Sequence, residues 1–315
     1  MTAKRNPAAV AATRIALATS LATSLATSAL VLAQVQASVA VKTGYAPVNG
    51  LNLYYEIHGS ESHGGDAPGS AAPLILLHGG LGSTEMFADL IPLFAKSRPV
   101  IAVDLQGHGR TADIDRPITR EAMADDIAGL MKYLQIEKAD ILGYSLGAGV
   151  ALQTAIRHPA IVGKLVIVST VFKRDGWYPE VLAAMDQMGP GAAEMMKPSP
   201  IYKTYARVAP RPSDFPVLLG KVSDSLKKDF DWSKDVAAIK APTLLVFGDA
   251  DAVRPVHVVE FFALLGGGQK DGGWDGSGIP QSKLAILPGV THYNILQSPL
   301  LAPTVAPFLG IAEAK

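Results

Sequence analysis

The sequence predicts an α/β protein, a mostly parallel β-sheet flanked by helices with a helical segment inserted late in the chain. Short, largely apolar runs recur at Leu74–Leu77, Pro99–Val103, Ala139–Leu142, Lys164–Ser169, Thr243–Phe247 and Lys283–Leu287, the pattern of strands buried on both faces. Stretches with helical spacing separate them, and such alternation is the pattern of a parallel sheet. The alternation stops between Val171 and Trp232, where Gly189-Pro190-Gly191, Pro198, Pro200, Pro210, Pro212 and Pro216 break the chain into short helical pieces, and then resumes.

With 49% hydrophobic and 18% charged residues in 315, the chain can build one large core but hardly a second full domain. Lys plus Arg and Asp plus Glu both number 28, which argues against a basic surface for nucleic acid. The absence of cysteine excludes a disulfide framework, a thiolate metal site and a cysteine nucleophile. At the N-terminus Lys4, Arg5 and Arg14 precede an uncharged stretch, and small residues follow at Val35-Gln36-Ala37 and Ser38-Val39-Ala40. Residues 1–40 are therefore expected to be a signal peptide, giving a secreted or periplasmic protein. The Leu-Ala-Thr-Ser repeat from Leu17 to Ser28 dilutes the stretch, so no permanent membrane anchor is expected. The remainder divides into a core part at 41–170, a helical lid at 171–235 and a second core part at 236–315.

The first element is a hairpin from Gly44 to Gly59 turning at Asn49-Gly50, and the polar Glu61–Ala72 is a surface loop with His58 and His63 solvated at its margins. The strand at Leu74–Leu77 runs into His78-Gly79-Gly80-Leu81-Gly82. Such a loop leaves backbone N–H groups open to approach and can supply half of an oxyanion hole, the other half being the N–H of Leu146. His78 is read as structural, and Ser83–Lys96 as an amphipathic helix. Asp104 and His108, after the next strand, are read as a turn-stabilising acid and a loop histidine rather than a catalytic pair. Thr119–Leu134 has apolar residues at helical spacing and leaves Asp125 and Asp126 on a solvated side.

Gly143-Tyr144-Ser145-Leu146-Gly147 joins the strand at Ala139–Leu142 to the helical run Ala148–His158. In such an elbow the serine backbone is strained, flanking glycines make room for the crossing chain, and the hydroxyl stands at a helix N-terminus. Ser145 is thus the candidate nucleophile. The inserted segment carries Trp177, Met185, Met188, Tyr202, Tyr205 and Phe215, able to pack it down or to line a pocket. After Thr243–Phe247, Val256–Leu265 is a helix in which His257 is expected at the surface. Gly266–Ser282 is a long loop whose Asp271 and Asp275 lack calcium-loop spacing. The strand Lys283–Leu287 leads to His292, and Ser298–Leu309 closes the chain as a helix. A serine hydroxyl needs a base, and the base an orienting acid. Asp251 and His292 each follow a strand, so a parallel sheet brings them to the edge that carries Ser145.

These motifs, with the order Ser, Asp, His, resemble the α/β-hydrolase fold superfamily from about Gly44 to Leu309. They are similar to its single-lid group of carboxylesterases, lactonases, carbon–carbon bond hydrolases and cofactor-free haloperoxidases. The resemblance implies an eight-stranded type of sheet. It also implies Ser145 as nucleophile, His292 as general base and then acid, Asp251 as orienting acid, and the N–H groups of Gly80 and Leu146 as oxyanion hole. Leu81 is the alternative to Gly80. Asp251 is preferred to Asp249 because the family's acid stands four residues before a proline, here Pro255. Serine at the elbow argues against epoxide hydrolases and haloalkane dehalogenases, which use aspartate there. The expected function is hydrolysis of a small-molecule carboxylic ester with an apolar acyl group, through a seryl acyl-enzyme and with no metal or organic cofactor. Lactone or carbon–carbon bond hydrolysis on the same triad, and non-catalytic binding of a small ligand, are the alternatives.

Overall fold

In the computed structural model, which describes residues 41–59 and 72–311, the chain opens with the antiparallel pair β1 (Val41–Val48) and β2 (Leu51–His58). Their turn residues Asn49 and Gly50 both take positive φ, 48° and 85°, as a two-residue hairpin matched to strand twist requires. The expected signal peptide and His63 lie outside the described residues. His58 is half-buried and bonded to Glu56 at 2.8 Å rather than solvated.

The continuous apolar runs become the sheet centre. β3 (Leu74–Leu77) is followed by α1 (Ile91–Phe94), β4 (Val100–Val103), α2 (Arg120–Tyr133), β5 (Ala139–Tyr144), α3 (Leu146–Arg157) and β6 (Val162–Val168). The chain then passes through α4 (Pro179–Gln187), α5 (Ala193–Met196), α6 (Pro200–Val208), α7 (Phe215–Lys227) and α8 (Ser233–Ala237). It returns as β7 (Thr243–Ala250), α9 (Pro255–Leu264), β8 (Lys283–Thr291) and α10 (Leu301–Leu309). The eight strands lie in the order β1-β2-β4-β3-β5-β6-β7-β8, antiparallel through β4 and parallel from there to β8. After β4 the chain crosses to the other side of β3 to form β5. The loops after β3 and β5 thus leave the sheet side by side, at the point where open α/β sheets bind ligands.

Three expectations need correction. Ser83–Lys96 is not one helix but a 3-10 turn, Thr84–Phe87, and the single turn α1, because Pro92 lacks the N–H that would continue a helix through it. Asp126 is buried, its carboxylate held by Asn49 Nδ2 at 2.9 Å and Arg116 Nη2 at 2.6 Å; its neighbour Asp125 does stay on the exposed side, paired with Arg157. The last strand runs on to Thr291, since an irregularity between Gly248 and Ala250 lets β7 keep pairing past Pro288-Gly289.

Thr119 caps α2 by accepting from Ala122 N at 3.1 Å, a bond worth ~1 kcal/mol in typical helices. The inserted helices are tied to the core by Arg207 of α6, which pairs with Glu85, and by Lys221 of α7, among other residues. Lys221 Nζ donates to Asp113 Oδ2 at 2.6 Å and to the carbonyls of Ile114 and Arg116. Among the described residues no helix is long and apolar enough to cross a membrane.

Candidate active site

Ser145 sits between β5 and α3 with φ 53° and ψ −114°, a conformation that L-residues avoid unless their surroundings impose it. Its N–H is held by Val168 O at 2.9 Å and its carbonyl by Gly149 N at 3.1 Å. A Cβ on Gly143 would strike the carbonyl oxygen of Gly147, and one on Gly147 the carbonyl oxygens of Leu77 and His78. Both glycines are therefore set by close backbone approach, as the sequence pattern suggested.

His292 follows β8 directly and is 8% exposed, with Nε2 3.1 Å from Ser145 Oγ. On its other side Nδ1 is 3.1 Å from Asp251 Oδ1. Donation from Nδ1–H to the carboxylate leaves Nε2 as an acceptor facing the serine hydroxyl, the tautomer a general base needs. Burial works against the charged form of Asp251, but hydrogen bonds from His292, the Ser169 hydroxyl and the Gly248 N–H outweigh it and hold the carboxyl below its usual range. Trp177 meets the His292 ring edge-on at 5.6 Å, and the Tyr144 hydroxyl donates to the carbonyl of His292 at 2.7 Å.

A cavity of about 160 Å³ opens onto Ser145. Gly80, Leu81 and Leu146 line it on the loop and helix side, Met185, Met188, Val222 and Leu226 on the side of the inserted helices. Leu146, the first residue of α3, has an N–H with no intrahelical partner. Both Gly80 and Leu81 border the cavity; Leu81 takes the left-handed φ of 61°, whereas Gly80 has room for a side chain, since a Cβ there would meet Leu146 only at 3.9 Å.

The other candidates stand apart. Asp104 accepts from the N–H groups of Thr84 and Arg110, both at 2.7 Å, and so holds its turn. His78 donates to Gly79 O at 2.7 Å and accepts from Leu105 N at 3.1 Å, a structural role. His108 is buried on the Gln106 carbonyl. Asp249 is exposed and accepts from Val290 N at 3.2 Å, away from the histidine. His257 is not at the surface. It is 1% exposed, stacks on Phe172 at 4.1 Å, accepts from Phe172 N at 3.2 Å and packs beneath Gly176.

Sequence reasoning missed Ser169, the Tyr144 bond and Arg120, a buried cation on the cavity wall. The first two depend on long-range geometry. Arg120 opens a helix, where a charged residue ordinarily signals solvent.

A family model described as the alpha/beta hydrolase fold matches residues 72–215. Over 220 residues the chain is 33% identical to a pimeloyl-[acyl-carrier protein] methyl ester esterase of Neisseria meningitidis, an alignment covering 62% of this chain and 80% of that one. The chain belongs to the α/β-hydrolase family. It is also 38% identical over 106 residues to a 2-hydroxymuconate semialdehyde hydrolase of a Pseudomonas strain, 32% of this chain and 38% of that one. Among solved structures, the enol-lactonase of Burkholderia xenovorans LB400 superposes with a TM-score of 0.62 at 23% identity, over 84% of this chain and 99% of that one. That likeness shows the fold alone. The named relatives are hydrolases and support hydrolase activity for this α/β hydrolase.

Proposed function

We propose that this protein is a serine hydrolase that cleaves carboxylic esters of small acyl compounds through a seryl ester at Ser145. The observation that carries this reading is the chain of hydrogen bonds from Ser145 through His292 to Asp251 at the mouth of a largely apolar cavity. His292 takes the serine proton as Oγ attacks the acyl carbon, then returns it to the leaving alcohol and activates water for deacylation. Asp251 holds the ring and stabilises the imidazolium. The N–H groups of Leu146 and of Gly80 or Leu81 receive the oxyanion. The inserted helices act as a lid, with Met185, Met188, Val222 and Leu226 against the acyl chain. The N-terminal 40 residues support export.

The test is hydrolysis of p-nitrophenyl esters of increasing acyl length beside Ser145→Ala, together with labelling by a fluorophosphonate. Turnover and labelling are both expected in the native protein and lost in the variant. Labelling without turnover of any ester would redirect the search to lactones and vinylogous diketones, and neither would leave a ligand-binding protein.

A further inference from the structure

Arg120 is the first residue of α2, yet it is 8% exposed and its side chain lines the same cavity as Ser145. Among the described residues no carboxylate lies within ion-pair distance of its guanidinium, and no acceptor is bonded to it. Glu121 acts on it only at longer range; burial pulls its pKa down to about 10, which leaves it charged at neutral pH. The faces of Phe230 at 4.8 Å and Trp232 at 5.8 Å compensate part of the lost hydration. Cation–π contacts use the guanidinium plane and leave its in-plane N–H donors unsatisfied. A buried, unpaired cation is strongly destabilising, so such a group is retained where something completes it.

The route of the side chain is built as well. A Cβ on Gly149 would approach Arg120 Cδ to 2.8 Å and Nε to 2.9 Å, so this glycine of α3 is what lets the arginine pass beneath the elbow to the cavity. Thr170, itself buried, lines the same space. Elsewhere the walls are Met185, Met188, Val222, Leu226 and Trp177, which offer a ligand apolar surface. The cavity, at about 160 Å³, is close to the ~150 Å³ known to hold a benzene-sized group and well below the ~300 Å³ or more of drug-sized sites.

We propose that Arg120 receives a carboxylate at the far end of the substrate's acyl chain, so that the preferred substrates are half-esters of short dicarboxylic acids. This rests on the reading of Ser145 as nucleophile and names the substrate class of that site. Water and a half-ester give the dicarboxylic acid and the alcohol. The carboxylate takes up the in-plane donors as a bidentate pair, and the methylene chain lies against the methionines.

The experiment compares kcat/KM for monomethyl glutarate and monomethyl adipate with that for methyl pentanoate and methyl hexanoate, each nearly the same shape without the charge. In the native protein the half-esters are expected to be favoured by about 10- to 100-fold, the span of a charge-assisted hydrogen bond. In Arg120→Met that ratio collapses to about one or below, and Arg120→Lys recovers part of it. A native preference for the neutral esters overturns the proposal without recourse to any variant. So does an equal fall for both ester types in Arg120→Met, which would make the arginine a structural pillar between Phe230 and Trp232. If neither ester type is turned over while Ser145 is still labelled by a fluorophosphonate, the half-ester assignment fails and the nucleophile stands. Loss of labelling as well removes both.

Discussion

Ser169 donates its hydroxyl at 2.5 Å to Oδ2 of Asp251, the carboxylate oxygen that His292 leaves free. It does so from a left-handed φ of 53° at the end of β6, with its own N–H fixed on Val246 O at 3.0 Å. Ser169→Ala is expected to lower kcat for ester hydrolysis about tenfold with little change in KM, the scale of one hydrogen bond to a charged group. Because this bond helps keep the Asp251 pKa low, its stabilisation is present above the ordinary aspartate range and lost as pH falls through the folded value. The variant should therefore be less stable than the native protein at neutral pH but lose less on acidification, so that the two urea midpoints converge as the pH falls below the ordinary aspartate range.

Asp249 and Asp251 are separable by substitution. Asp251→Asn should cost about 10³- to 10⁴-fold in kcat, because an amide no longer enforces the histidine tautomer. Asp249→Asn should stay near the native rate, since its carboxylate serves backbone N–H groups at Gly289 and Val290 and not the histidine ring. The reverse result would transfer the orienting role.

Gly147 faces the main chain leaving β3, so Gly147→Ala forces apart α3 and the loop that begins at His78. A collision with rigid backbone is expected to cost about 3 kcal/mol or more, read as a lower urea midpoint.

Three buried histidines make the fold sensitive to acid. Burial holds His78 down at about 4, and burial with the neighbouring His78 brings His108 to about 3. Burial, with the charges of Lys173 and Arg254, brings His257 to about 3. Unfolded histidine titrates near ~6.5, so below that pH the unfolded chain binds more protons. Stability is full above about pH 6.5 and is lost as the pH falls towards 4, by ~1.4 kcal/mol per pH unit for each ring. Urea midpoints at pH 7, 6 and 5 should record the fall, and His257→Gln should remove about a third of the slope. Equal midpoints at pH 7 and 5 would contradict it.

The strands of the sheet centre were legible because burial on both faces leaves an unbroken apolar run, as in Leu74–Leu77. Ser145, Asp251 and His292 stood out because each comes within a few residues of the end of such a run. His257 was misread because α9 is apolar on both sides. Val256 and Val259 are exposed while Val258 and Phe261 are buried, so periodicity does not reveal which face the histidine shares. Asp126 was misjudged and Arg120 passed over for a common reason. A charge reads as solvated unless its partners are known, and Asn49 lies 77 residues from Asp126, while Phe230 and Trp232 come only after α7, far along the chain from Arg120. The left-handed backbone of Ser169 is imposed by its neighbours and leaves no trace in residue type.

The bond from the Tyr144 hydroxyl to the carbonyl of His292 joins the residue before Ser145 to His292 across a sheet in which β5 and β8 are three places apart. Without it, the gap between hydroxyl and imidazole would inherit the summed slack of three strand pairings. With it, one rigid phenol acts as a gauge between Ser145 and His292, so breathing of the sheet is not passed on to them. The same ring lies against Gly79, where a Cβ would come within 2.7 Å of it, so one part also sets the height of the glycine loop.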